Sequence, residues 1–257
     1  MTLLKLAEAA LLGVPVGLAL GLVGGGGSIL TVPILIGVLG VSPHLATSAS
    51  LVIVSVNAGG ALWTFVRERL VRYRVALTLV ASGILGTMLG TRLNQQVPPQ
   101  ALTLAFATLM VFTALAMLRG EATQTRKLPK PSGALSPVEL LITGTLVGLT
   151  TGFFGVGGGF VIVPALVYLG LDMRQAVPTS LLIIVLNSLL ALGLRAASGA
   201  ALPLGYALPM IVGGFVGTSL AVRLAPKLSH VGLTRTFAFS VLALAGYLAW
   251  TLKGTYA

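Results

Sequence analysis

The sequence predicts an all-α integral membrane protein: two homologous five-segment repeats in an inverted arrangement, with helices broken at glycine-rich loops near the bilayer midplane. Three observations carry that prediction. Of 257 residues, 56% are hydrophobic and only 8% are charged, with a mean hydropathy of +1.03. A soluble domain carries roughly a quarter charged residues, so water-soluble enzymes and nucleic-acid binders are excluded. Apolar runs approaching the roughly 20 residues that cross a bilayer as a helix recur along the chain. Finally, the second half of the chain repeats the first.

Ten apolar segments emerge. The first five lie near residues 6–23, 28–40, 45–66, 74–93 and 99–118, and the second five near 137–154, 159–170, 175–196, 203–224 and 231–251. A secretory signal is rejected for the first, because Glu8 interrupts it and no small-residue cleavage site follows. Segments 28–40 and 159–170 are too short to span alone; each begins at a glycine cluster and holds a proline, Pro33 or Pro164. Residues 119–135 are polar and basic and contain Pro129, Pro131 and Gly133, which marks a linker. The expected division is therefore a first transmembrane repeat at 1–118, a linker at 119–135 and a second repeat at 136–257.

The repeat is read residue by residue. At an offset of 131, Glu8 matches Glu139, Gly13 matches Gly144, Gly17 matches Gly148, Gly21 matches Gly152 and Pro33 matches Pro164. At 130, Gly40 matches Gly170, Ser50 matches Ser180 and Asn57 matches Asn187. The offset then returns to 131, pairing Gly83 with Gly214, Thr87 with Thr218 and Arg92 with Arg223.

An odd number of crossings per repeat inverts the second copy, and an even number leaves the copies parallel. Arg67, Arg69, Arg72 and Arg74 follow the third segment, and Arg119, Arg126, Lys127 and Lys130 follow the fifth. Two crossings separate these clusters, so both face the cytoplasm by the positive-inside rule, and the linker is inside. If every segment crosses, Arg174, Arg223 and Lys227 also fall inside, and Arg195 and Lys253 outside. That margin favours five inverted crossings; four parallel ones stay open.

Glycine clusters stand at Gly24, Gly25, Gly26, Gly27 and Ser28, and at Gly155, Gly157, Gly158 and Gly159. Each glycine costs a helix about 1 kcal/mol relative to alanine, so the helices should break there. Non-helical backbone survives in a membrane only where protein or a water-filled cavity satisfies it. The short helix after each break would offer unpaired N–H groups and a positive dipole end, a ready anion site. Gly13, Gly17 and Gly21, with Gly144, Gly148 and Gly152, recur every fourth residue and read as helix packing. Phosphate-loop and dinucleotide readings fail, because Ile29 and Leu30 follow Ser28 where Lys and Ser or Thr are required, and Ile29 and Phe160 occupy the third glycine position.

Asn57 and Asn187 each follow Ser50 or Ser180 by seven residues, two helical turns, so each pair shares a face. Their amides could donate to an anion or bridge helices. Thr31, Ser48 and Thr179 are weaker candidates of the same kind. None of the five carboxylates, Glu8, Glu68, Glu121, Glu139 and Asp172, falls in mid-segment, so the usual relay for proton or cation coupling is missing. His44 and His230 lie at segment ends and read as interfacial. Arg92 and Arg223 read as snorkelling anchors, with a vestibule role in drawing anions as the alternative. With no cysteine and no histidine cluster, no metal site, catalytic residue or cofactor is expected.

The stretches GLVGGGGSILTVPIL from Gly21 and GFFGVGGGFVIVP from Gly152 resemble the TauE/SafE sulfite exporter family, also called the toluene sulfonate uptake permeases. ATSASL and VPTSLL, and GILGTMLGTRL and GGFVGTSLAVRL, extend the similarity over nearly the whole chain, although Ser48 and Ala49 stand where a Gly-Thr pair is more typical. The resemblance implies a permease of a prokaryotic inner membrane for small sulfur-containing anions such as sulfite, sulfonates or sulfoacetate. The expected partners are that anion and the lipid bilayer, with no nucleic acid. The rival readings are an anion channel using the same residues, a structural scaffold without flux, and an intramembrane hydrolase resting on Ser28 and His44.

Overall fold

The computed structural model describes residues 3–66, 69–123, 137–201, 204–224 and 230–254, and among them every element is helical. Helix α1 is Leu3–Val23. A composite segment follows: a 3-10 stretch at Gly24–Leu30, a single α turn α2 at Thr31–Pro33 and a π stretch at Ile34–Val38. Then come α3 (Pro43–Val66), α4 (Tyr73–Gln96) and α5 (Pro99–Thr123). The second half holds α6 (Pro137–Phe154), α7 (Gly159–Tyr168), α8 (Met173–Ala197), α9 (Leu204–Leu224) and α10 (His230–Gly254). Proline opens α3, α5 and α6, where its missing N–H would be unpaired anyway and its fixed φ suits a helix. Most of the expected linker, and Glu68, lie outside the described residues; its first five residues, 119–123, extend α5.

Among the described residues, six helices are long and apolar enough to cross a membrane: Leu4–Leu22, Pro43–Phe65, Tyr73–Gln96, Pro99–Arg119, Met173–Ala197 and Leu204–Ala221. Shorter apolar helices run at Gly27–Val38, Val138–Phe154 and Arg235–Trp250. Large side chains such as Trp63, Leu85, Phe112, Phe239 and Trp250 point outward from the bundle. In water that surface would be a liability; against lipid tails it costs nothing.

Lipid is as apolar as leucine, so helices in a membrane associate through close packing of small residues rather than through expulsion of water. The glycine stripes supply that packing, between the halves of the chain. Gly13, Gly17 and Gly21 of α1 face Met210, Gly214 and Ala221 of α9, while Gly144, Gly148 and Gly152 of α6 face Ser82, Gly83 and Thr87 of α4. A Cβ on Gly83 would lie 2.7 Å from the carbonyl oxygen of Gly144. Hydroxyls add cross-links at the same seams, Thr218 Oγ1 donating to the Gly17 carbonyl at 3.2 Å and Thr145 Oγ1 to that of Ser82 at 3.1 Å.

Residue pairs fix the directions of the helices. Along α1 and α9, Ala10 meets Gly213, Val14 meets Gly217 and Gly21 meets Ala221, so the two run the same way. Helices α4 and α6 also run together, from Gly83 at Gly144 to Asn94 at Phe153, and so do α4 and α8, from Arg72 at Gln175 to Gln95 at Ser198. By contrast α3 and α8 are antiparallel: Thr47 meets Arg195 and Gly59 meets Val185. The composite segment and α7 pack against each other beside that pair. Buried apolar side chains collect in two clusters, one around Ile29, Ile53, Phe106 and Val156 and the other around Val54, Ile162, Leu166 and Ile184.

The seams make a stability prediction. Gly83→Leu should lower the melting temperature of the detergent-purified protein by an amount matching at least ~1–3 kcal/mol of overpacking. Gly193→Ala, where nothing lies within 4 Å of the added methyl, should leave it unchanged or raise it.

Candidate functional site

Both glycine clusters end a helix, but they do so differently. After α6 the chain turns through Gly155, Gly157 and Gly158 with φ of +68°, +70° and +71°, the left-handed region that side chains rarely adopt. Gly158 in that conformation is the N-cap of α7, and its carbonyl takes up the Val161 and Ile162 N–H groups at 3.0 and 3.1 Å. Here the expected break and helix N-terminus are both present. In the first half, α1 stops at Val23 as expected, and the chain folds back so tightly that Gly27 lies on the Leu20 backbone. Gly24, Gly25, Gly26, Gly27 and Ser28 are wound into the 3-10 stretch instead of an open turn. Its i→i+3 bonds satisfy the backbone locally, so the two halves do not present matching helix starts.

Asn57 and Asn187 lie at one level of the bundle. In the antiparallel register of α3 and α8, Gly157 sits between Val54 on one helix and Ile184 and Ser188 on the other. The contact of Gly59 with Val185 fixes that register, and two residues back along α3 it places Asn57 level with Asn187, near the middle of both helices. Their side chains are 1% and 0% exposed. All four amide atoms lack a hydrogen-bond partner, as does the buried Ser188 hydroxyl beside Gly157. A Cβ on Gly157 would stand 3.1 Å from that hydroxyl and 2.8 Å from Ile184 Cγ2, so the turn, Ser188 and α3 converge on one spot. Asn57 also lies against Gly214 of α9, where a Cβ would run into its amide.

The serines and threonines grouped with the asparagines divide by level. Seven residues of helix is about 10 Å, and because α3 and α8 run oppositely, Ser50 and Ser180 lie to opposite sides of the asparagine level. Ser50 and Thr31 are fully buried with unpaired hydroxyls. Thr179 and Ser180 are engaged elsewhere: Thr179 Oγ1 accepts the Arg72 N–H at 3.0 Å just before α4 begins, and Ser180 Oγ donates to the Val177 carbonyl at 2.7 Å. Thr179 thus joins α8 to the start of α4, while the Ser180 hydroxyl is bonded within α8 itself. Ser28 is buried, and Gly159 is the first residue of α7. Arg92 is exposed at a cleft, while the side chains of Arg223 and His230 lie outside the described residues.

Sequence reasoning missed one residue of the interior. Arg195, used only as a marker of topology, is 1% exposed near the end of α8. Its guanidinium donates to Thr47 Oγ1 at 2.8 Å, Ser48 Oγ at 2.9 Å and the Gly152 carbonyl at 2.9 Å, and its Nε has no partner. Gly155 rests on Thr47, so this group adjoins the α6–α7 turn. The signal available in the sequence was asymmetry, since at the offset of 130 the matching residue is Phe65.

Residues 9–248 match the family described as Sulfite exporter TauE/SafE. A "Probable membrane transporter protein" of Xylella fastidiosa (strain Temecula1 / ATCC 700964) is 39% identical over 249 residues, 91% of each chain. The "Probable membrane transporter protein YunE" of Bacillus subtilis (strain 168) is 26% identical, over 84% of this chain and 87% of its own. A further protein of that description, from Haemophilus influenzae (strain ATCC 51907 / DSM 11121 / KW20 / Rd), is 27% identical over 91% of this chain and 94% of its own. No solved structure matches this chain. A bundle of apolar helices with polar groups buried at its centre suits such a transporter, and the chain belongs to the TauE/SafE sulfite exporter family of multi-pass membrane transporters.

Proposed function

We propose that this protein is a secondary transporter of the prokaryotic inner membrane that moves a small sulfur-containing anion, such as sulfite, a sulfonate or sulfoacetate, by alternating access. The single observation that carries the proposal is the level pair of Asn57 and Asn187, buried with every amide atom unpaired. An unsatisfied buried polar group costs about 1–3 kcal/mol, and a ligand or water that fills its valences recovers that cost. Amide N–H groups, the Ser188 hydroxyl and the first N–H groups of α7 are donors, and donors suit an anion. No carboxylate among the described residues stands nearby to repel one; Glu8, Glu139 and Asp172 are all exposed.

The substrate class rests on family membership, and alternating access on the arrangement of the halves. Residues 1–118 and 136–257 act as two repeats rocking about the asparagine level. Inversion is supported by helix direction, because α3 and α8 occupy the same place in their halves and run opposite ways. The linker at 119–135 is assigned to the cytoplasm from its basic residues.

Two outcomes test this reading. Proteoliposomes loaded with unlabelled sulfite or methanesulfonate should accumulate the labelled anion with saturation, and Gly157→Ala should lower the flux at least tenfold, because its methyl enters the spot between Ile184 and Ser188 at a positive φ. Linear, unsaturable flux would point to a channel, and full flux from Gly157→Ala would remove the α6–α7 turn from the site. Asn187→Leu should abolish counterflow while leaving the melting temperature equal or higher, since it removes two unsatisfied groups at similar volume. A fall in melting temperature with flux retained would make the asparagine interhelical glue.

A further inference from the structure

Arg195 holds a full positive charge inside the bundle with only neutral partners. Two hydroxyls and one carbonyl accept from it, Nε is unpaired, and no carboxylate among the described residues pairs with it. A buried cation without a counter-charge is expensive, and leaving such a charge unpaired is far worse than never burying it. Hydroxyls and a carbonyl orient the guanidinium but cannot neutralise it.

A cleft of about 290 Å³ lies just behind this group, at the end of the bundle where α4 stops and α5 begins. It is lined by Thr91, Arg92, Gln95, Leu194 and Ser198 among others. Thr91 joins the two places: its hydroxyl is buried and unpaired, and it lies against Gly152, whose carbonyl accepts from Arg195. On the other side, Thr47 links Arg195 to Gly155 and so to the α6–α7 turn. Eight residues of α8, about 12 Å, separate Arg195 from Asn187.

We propose that Arg195, with Thr47, Ser48 and Thr91 around it, is a second anion-binding station between this cleft and the asparagine level. Its occupant is an oxyanion with at least two acceptor oxygens on one centre, because the guanidinium fork presents parallel N–H donors. The unpaired Nε and one terminal nitrogen bind the anion, and the anion supplies the missing counter-charge. Arg92 at the cleft raises the local anion concentration. The station rests on the transporter reading above and adds the residue that makes it selective for charge, since an asparagine pair alone does not separate an anion from a neutral polar solute.

The test is thermal stability of the detergent-purified protein titrated with sodium sulfite, methanesulfonate and acetate at constant ionic strength, with glycerol as a neutral control. Ligand binding to the folded state alone raises the melting temperature. Wild type should respond to the oxyanions and not to glycerol. Arg195→Gln, which keeps hydrogen-bonding capacity and removes the charge, should melt no lower than wild type without ligand and bind sulfite at least tenfold more weakly. Arg195→Lys, which keeps the charge and loses the fork, should also lose at least tenfold, and it serves if the glutamine variant does not fold. Sulfite binding by either variant within twofold of wild type would overturn the station and leave the transporter reading standing. A wild type that responds to no oxyanion would overturn both.

Discussion

Hydrocarbon offers no hydrogen-bond partner, and every feature of this protein follows from how its backbone and side chains meet that constraint. An α-helix satisfies its own backbone, which is why the described residues are almost continuously helical. Where the chain must reverse inside the bundle, it uses the few conformations that keep polar atoms covered. After α1 it winds into a 3-10 stretch, and after α6 it makes a turn of left-handed glycines capped onto the start of α7. The glycine seams between α1 and α9 and between α4 and α6 belong to the same logic: with little hydrophobic force between helices, backbones must touch.

Against that background the exceptions carry the functional information. Asn57, Asn187, Ser188 and Ser50 are buried with unpaired atoms, and Arg195 is buried with a charge that its neighbours orient but do not balance. These groups lie along the α3–α8 pair, and Thr31 on the composite segment and Thr91 and Asn94 on α4 also hold unpaired buried oxygens. Arg195 lies toward one end, Ser188 and Gly157 toward the middle, and the asparagines beside them. A fold that covers its backbone this carefully keeps such groups at a cost in stability, and a polar solute crossing between the halves gives that cost a purpose.

Much of the fold was legible because membrane helices announce themselves by length and apolarity: the expected segments 45–66, 74–93 and 175–196 fall within α3, α4 and α8. The glycine stripes were legible as packing because their spacing of four fixes one face. What the sequence did not carry was the difference between the two glycine clusters, since four glycines and Gly-Val-Gly-Gly-Gly are equally poor helix formers and tertiary packing decides which becomes a 3-10 turn. Nor did it carry level. Ser50 and Ser180 match across the repeat, yet antiparallel packing puts them to opposite sides of the asparagines, with Thr179 bonded to the start of α4 and Ser180 within α8. Arg195 was hidden for a related reason, because a lone arginine at the end of an apolar run reads as an interfacial anchor until its burial is known.

The most direct test of the central claim uses the absence of cysteine from the chain. Ser188→Cys places a single thiol of nearly unchanged size beside Gly157 and Asn187, and its modification by a membrane-impermeant thiol reagent can be followed from each side of sealed vesicles. A site reached alternately by water predicts labelling from both sides, slowed by sulfite or methanesulfonate. A thiol that stays unreactive from both sides in the folded protein, yet reacts fully once it is denatured, would make the unpaired polar groups part of a sealed core and contradict the account.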